Sequence, residues 1–226
     1  MNKIILTSVL IIISFTSFSQ VLTDQVTGKV YRENKSNDVS GSPYLFDEWK
    51  SGEVTLSNED KLGDVKLKFN VLYNKFLFKR NDTTYEFVDD VREIRLKDAS
   101  AKDGNGELLF EKVINANGKI PAGTFVQILS VGKVTLLKHF SKRIEGENYT
   151  NGLFTTRKEM ISHDAYWATV NKETVPVKLS KKSMEELTND KQDQVNSYIK
   201  SRKLNLKNET DFAAAITYYN SISQSP

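Results

Sequence analysis

From Glu53 onward the chain alternates apolar and polar residues with a period of two. Val65, Leu67, Phe69 and Val71 are separated by Lys66, Lys68 and Asn70, which predicts a strand with one apolar and one polar face. Phe76-Leu77-Phe78 follows the turn Asn74-Lys75. Tyr85 and Phe87 follow Asn81-Asp82, whose side chains bond local backbone and tolerate left-handed conformations. Asp89-Asp90 turns once more before Ile94 and Leu96. Short strands on hairpin spacing predict an antiparallel meander. The same signals place strands at Glu107–Ile114, Thr124–Val131 and Lys133–Phe140, with Asn117-Gly118 and Gly132-Lys133 as turns. Ser141 to Thr156 loses periodicity and reads as a surface loop. Ala165–Val170 and Thr174–Leu179 form one more predicted hairpin, turning at Asn171-Lys172-Glu173.

After Leu179 the period lengthens to the helical repeat. Ser180 is placed to cap a helix running to Leu187, and Asn189 or Asp190 to cap another with Val195, Tyr198 and Ile199 inside. Asn208 with Asp211 resembles a capping box and opens a third helix, whose Phe212, Ala215, Ile216, Tyr219 and Ile222 form one apolar stripe. Strands first and about three short helices last predict an α+β fold: an antiparallel meander, sandwich or roll-like, with a helical C-terminal cluster.

The N-terminus obeys a different pattern. Lys3 supplies a positive charge, Ile4 to Phe15 is nearly all apolar, and Thr16-Ser17-Phe18-Ser19 offers small residues for cleavage before Gln20. That is an export signal, too short for a membrane span of about 20 residues. The predicted organisation is a signal peptide (1–19), a polar lead-in (20–42) with one short strand at Lys29–Arg32, a β domain (43–142), a loop (143–164), and a hairpin with helices (165–226). Loss of Lys3 takes the basic count from 32 to 31 against 29 acidic residues, a net +2 without a strong field. The absence of cysteine excludes disulfides, thiolate catalysis, iron–sulfur clusters and a lipidated cysteine. The helical end argues against an outer-membrane barrel, whose strands also alternate.

Reactive groups are sparse. His139 and His163 lack metal-pair spacing, and Ser162-His163-Asp164 cannot fold onto itself as a triad. Asp47-Glu48, Asp89-Asp90, Glu145 with Glu147, and Glu185-Glu186 are paired acids, but neighbours on a strand point to opposite faces and those in turns are solvated. Gly104-Asn105-Gly106 is too short for a phosphate loop, and Asp98 and Asp103 miss the calcium-loop positions. No cofactor, metal or nucleic-acid partner is expected. The densest aromatic cluster, Ser42 to Trp49, makes Tyr44, Phe46 and Trp49 the candidate binding residues, able to stack a sugar or grip a peptide.

Gly41-Ser42-Pro43-Tyr44-Leu45-Phe46-Asp47-Glu48-Trp49, with Gly52 and Val54, resembles the opening of a group of exported Bacteroidetes proteins to which no activity is assigned. Gly132 to Lys138, Val175 to Ser183, Asn205-Leu206-Lys207 and Tyr218-Tyr219-Asn220 carry the same resemblance. It implies a Gram-negative envelope or secreted setting and assigns no functional residue. In that setting Asp82-Thr83-Thr84 looks like a short O-glycosylation motif with Thr83 as acceptor. The helical end, unlike a type IX sorting domain, implies retention in the periplasm or at an envelope surface. The expectation is a non-catalytic module that binds an envelope protein or glycan. The alternative is a hydrolase acting on an envelope polymer through carboxylates from separate strands.

Overall fold

The computed structural model describes residues 27–33, 38–98, 106–114, 120–147 and 157–223. The segment read as an export signal, the predicted turn at Asn117-Gly118 and the Gly104-Asn105 pair lie outside them. Among the described residues the architecture is α+β: eleven antiparallel strands in one sheet, a separate three-stranded sheet, and three C-terminal helices. The strands are β1 Gly28–Val30, β2 Val39–Ser40, β3 Lys50–Leu56, β4 Lys61–Asn70, β5 Lys75–Arg80, β6 Thr83–Phe87, β7 Val91–Lys97 and β8 Glu107–Lys112. They continue as β9 Phe125–Ser130, β10 Val134–His139, β11 Lys142–Glu147, β12 Arg157–Ser162, β13 Ala165–Val170 and β14 Glu173–Val177. Helices α1 Lys181–Leu187, α2 Gln192–Arg202 and α3 Glu209–Ser223 follow.

The turn chemistry places the hairpins. Asn74, Asn81, Asp82, Asn171 and Lys172 all take positive φ, as tight hairpin turns require. Leu67 and Phe69 of β4 point into the core, as their alternation predicts. Gly52 is needed where β3 passes β7, because a Cβ there would lie 2.4 Å from the Arg95 carbonyl oxygen.

The large sheet runs β1-β6-β5-β4-β3-β7-β8-β9-β10-β13-β14, so β7 returns to the side of β3 opposite β4. Four strand spacings separate β6 from β7, about 19 Å on a flat sheet. The link from Phe87 to Val91 spans at most about 14 Å. The sheet must therefore curl, and it does. Phe76 on β5 meets Phe125 on β9 with ring centroids 5.0 Å apart, and Phe110 on β8 at 5.2 Å. The Asn74 carboxamide spans the seam: it accepts from the Phe125 N–H at 2.6 Å and donates to the Phe125 carbonyl at 3.1 Å. Lys112 pairs with Asp90 across the same seam at 2.6 Å.

Two cores result. Inside the curl, Leu67, Phe69, Phe76, Phe78, Phe110, Phe125 and Phe140 pack with the aliphatic residues of β3, β4 and β7. Farther along the sheet, Val134, Leu136 and Ala168 pack beneath Met184, Val195, Phe212, Ala215, Ile216 and Tyr219 of the helices. Ser180 caps α1, Asn208 caps α3 through the Asp211 N–H, and Asp211 reaches back to the Asn205 N–H instead of completing a box. The second helix departs from expectation: a 3₁₀ turn at Asn189–Lys191 precedes it, and Asp190 binds Lys133 and the Tyr219 hydroxyl.

The segment read as a 143–164 loop is corrected. β11 and β12 pair through six residues, and β2 joins β12 in parallel, forming the small sheet with part of the lead-in. Lys142-Arg143-Ile144-Glu145-Gly146-Glu147 carries a single apolar residue, and Ile144 and Ile161 remain exposed. A strand without a buried face leaves no alternation to detect. The predicted hairpin at 165–179 is β13–β14, and it extends the large sheet from β10 instead of standing apart.

Candidate functional site

The aromatic segment is held by its backbone. Lys142 donates its ammonium to the Ser42 and Tyr44 carbonyls at 2.8 and 2.7 Å, while Leu45 N–H bonds the Phe69 carbonyl at 3.0 Å. Burial pushes the Lys142 pKa below the ordinary lysine value, with Asp47 and Asp164 opposing. The three candidate rings do not form one ledge. Lys68 covers Tyr44 at 4.4 Å and Trp49 at 5.6 Å, a cation–π arrangement that occupies those faces from within. The Tyr44 hydroxyl is pushed upward by burial and by its bond to Glu33. Phe46 alone turns toward a cavity, with Lys50 4.6 Å from its ring centre.

That cavity is a half-open groove of about 890 Å³ between the two cores. Leu45, Phe46, Leu108 and Phe140 form one wall, and Gln127, Leu129 and Lys138 form the floor. The other wall is α3, which presents Thr210, Ala213, Ala214, Thr217 and Ser221. Small side chains at this helical spacing leave the space open, because the large ones (Phe212, Ile216, Tyr219) point into the second core. Both the size and the largely apolar lining with a few convergent polar groups suit a ligand site.

The polar groups of the groove are ordered. Lys138, 13% exposed, donates to Glu209 at 2.7 Å and lies 3.5 Å from Asp164. The Tyr166 hydroxyl donates to the same Glu209 oxygen at 2.6 Å, and its pKa is raised by burial first and by that carboxylate second. Asp98 is buried beside Lys50 at 3.5 Å. Gln127, only 8% exposed, makes no side-chain hydrogen bond to any described residue.

Comparison with family models, curated proteins and solved structures yields no match. Function must therefore be argued from this geometry alone.

The remaining candidates sit elsewhere. His163 pairs with Glu145 at 2.7 Å on the exposed small sheet. His139 is half-buried, and desolvation lowers its pKa against the pull of Asp164. Glu93 and Glu111 face each other across β7 and β8. The Glu111 pKa is raised, first by desolvation and then by Glu93, yet its side chain reaches solvent and both acids have arginines nearby. Thr83 opens β6 directly after the Asn81-Asp82 turn, with the Asp82 carboxylate paired to Lys79 at 2.8 Å. Among the described residues no three His, Asp or Glu side chains could hold a metal ion, and no helix is long and apolar enough to cross a membrane. Of the three candidate rings Phe46 lines the groove, and Gln127, Lys138, Glu209 and the groove wall of α3 were not among the sequence candidates. The small-residue stripe beside the apolar stripe of α3 was the available signal.

Proposed function

We propose that this is a non-catalytic binding protein of the bacterial envelope, exported by its N-terminal signal, and that the groove between curl and helices is its ligand site. The observation that carries the reading is a preformed, largely apolar cavity whose ionised groups are already hydrogen-bonded to one another. Glu209 is tied to Lys138 and Tyr166, and Asp98 lies against Lys50. A catalytic carboxylate pair needs one acid kept protonated and both aimed at substrate. Engaged carboxylates instead position a bound partner. The ligand is an envelope protein or glycan.

The test is a photoreactive residue placed at groove-facing Thr217 and, as a control, at Glu173 on the sheet edge. In living cells an adduct is expected from Thr217 alone, and it should vanish when Ala214→Trp fills the groove. Adducts unaffected by the tryptophan would sink the site. Turnover of an envelope polysaccharide that is lost in Glu111→Gln would replace this reading with the hydrolase. For Thr83, intact mass of protein isolated from its native cells should show added hexose units, absent in Thr83→Ala.

A further inference from the structure

We infer that the outer edge of β11 pairs with β11 of a second copy of this chain, antiparallel about a two-fold axis through Ile144. The inference is independent of the groove. β10 pairs with β13 and β11 with β12 in one unbroken register, from Val134–Val170 to Glu147–Arg157. Between the two ladders the His163 N–H bonds the Ser141 carbonyl at 2.8 Å. The four strands are therefore one ribbon, whose outer part leaves the large sheet as an arm about 20 Å long. β2 covers the outer side of β12. The outer side of β11 has no neighbour among the described residues. The end strands of the large sheet carry their own protection, β1 being three residues long and β14 containing Pro176. β11 has six residues, no proline and no break in register.

Charges ordinarily blunt an edge, but their order here makes the edge complementary to itself. β11 reads Lys142-Arg143-Ile144-Glu145-Gly146-Glu147, basic first and acidic last. Bonded and non-bonded pairs alternate along an antiparallel ladder. Ser141–His163 is a bonded pair, so Arg143 and Glu145 bond inward while Lys142, Ile144 and Gly146 turn N–H and C=O outward. Outward residues must meet outward residues, so a two-fold axis passes through a residue. Through Lys142, Arg143 or Glu145 it sets like charge against like, and through Gly146 it pairs two acidic positions, Glu145 and Glu147. Through Ile144 it sets Arg143 of each copy opposite Glu145 of the other, twice over, in an isologous contact. Arg143 is exposed and bonds no described residue, while Glu145 holds His163 at 2.7 Å with both groups exposed. Lys142 brings no competing charge, because its ammonium is bound by the Ser42 and Tyr44 carbonyls, and it falls opposite Gly146. On the other face Ile144, 46% exposed, lies beside Met160, and its own copy extends that pair into a continuous apolar row.

The experiment is sedimentation equilibrium of the chain from Gln20 to Pro226, run from micromolar to millimolar concentration. It should show monomers in exchange with dimers, weakly, because one strand pair buries less than the roughly 1,200 Å² of a standard interface. Arg143→Glu sets acid against acid at both contacts and should weaken the dimer at least about 10-fold; Glu145→Arg should do the same with base against base. Mixing the two variants restores opposite charges and should recover dimers that neither forms alone. Ile144→Pro removes an N–H that faces outward, a change edge strands tolerate, and should abolish dimers. All three positions are exposed, so melting temperatures should not move. Should Ile144→Pro melt early, the charge variants carry the test by themselves. A chain that stays monomeric throughout overturns the proposal and leaves the edge to a strand of some other protein. A dimer indifferent to the charge variants overturns it as well, as does a mixture of the two that stays monomeric.

Discussion

The two larger cores of this molecule are built by opposite means. The curl is filled by rings: Phe69 stacks on Phe76 at 4.4 Å, and both meet Phe110. Those rings come from strands far apart in sheet order, so apolar burial itself bends the sheet. The helical half is packed by aliphatic residues with Phe212 and Tyr219, and it contains a buried amide. Asn220 accepts from the Val134 N–H at 2.9 Å and donates its amide toward Val134 O, Val131 O and Ser130 Oγ. Gly132 makes room for it, since a Cβ there would lie 2.5 Å from the Asn220 side chain. The comparison separates shape from register. Rings tolerate small slips, whereas a satisfied amide permits one seating of α3 on the β9–β10 hairpin. The groove lies where these two kinds of packing meet.

The comparison can be broken from either side. Phe69→Ala should cost about 3–5 kcal/mol by opening a cavity among rings that cannot collapse, measured by urea unfolding. Asn220→Ala should cost about 2–3 kcal/mol, because the Val134 N–H loses its acceptor inside the protein. Trp49 lies by the curl, while Trp167 on β13 packs with Leu137 and Ile128 on the sheet face opposite the helices, so single-tryptophan variants report the curl and the sheet beneath the helices separately. With Asn220→Ala the Trp167 signal should move before that of Trp49, and coincident transitions would show that the halves form one cooperative unit. Asn74→Ala should cost about 1–2 kcal/mol and act on the curl alone.

The smallest effect is a pH dependence. His139 has its folded pKa lowered by burial, below the unfolded value of about 6.5. Between those two values the unfolded chain binds more protons, so stability rises with pH through the window. It is lost as pH falls from about 6.5 toward the folded pKa. The urea midpoint should therefore fall between pH 7 and pH 5, and fall less in His139→Gln. Equal slopes in the two proteins would remove His139 from the account.

Much of the fold is legible in local pattern because its signals are local. Leu67 and Phe69 alternate with lysines, Asn81-Asp82 and Asn171-Lys172 supply left-handed turns, and Phe212 to Tyr219 repeat at helical spacing. β11 and β12 are illegible because neither buries a face. The return of β7 to β3 and the closure of the curl by Asn74 are set by long-range geometry, and in sequence Asn74 reads only as a turn residue. The candidate site is harder still. It joins Phe46, Gln127, Lys138 and Glu209, which lie on four separate elements. Gln127 reads simply as the polar partner in an alternating strand, and only the curl turns it inward.

The seating of α3 also orders events in time. A chain emerging from its N-terminus holds every ring of the curl once Phe140 has appeared. The β9–β10 hairpin must then wait 86 residues for the amide that locks it. Until Asn220 arrives, Val134, Leu136 and Ala168 present a bare apolar sheet face to water. A ribosome stalled short of the last helix would hold half a folded protein with a sticky flank, the state a holding chaperone recognises. Completion of that flank and completion of the groove wall are one event, because α3 supplies both.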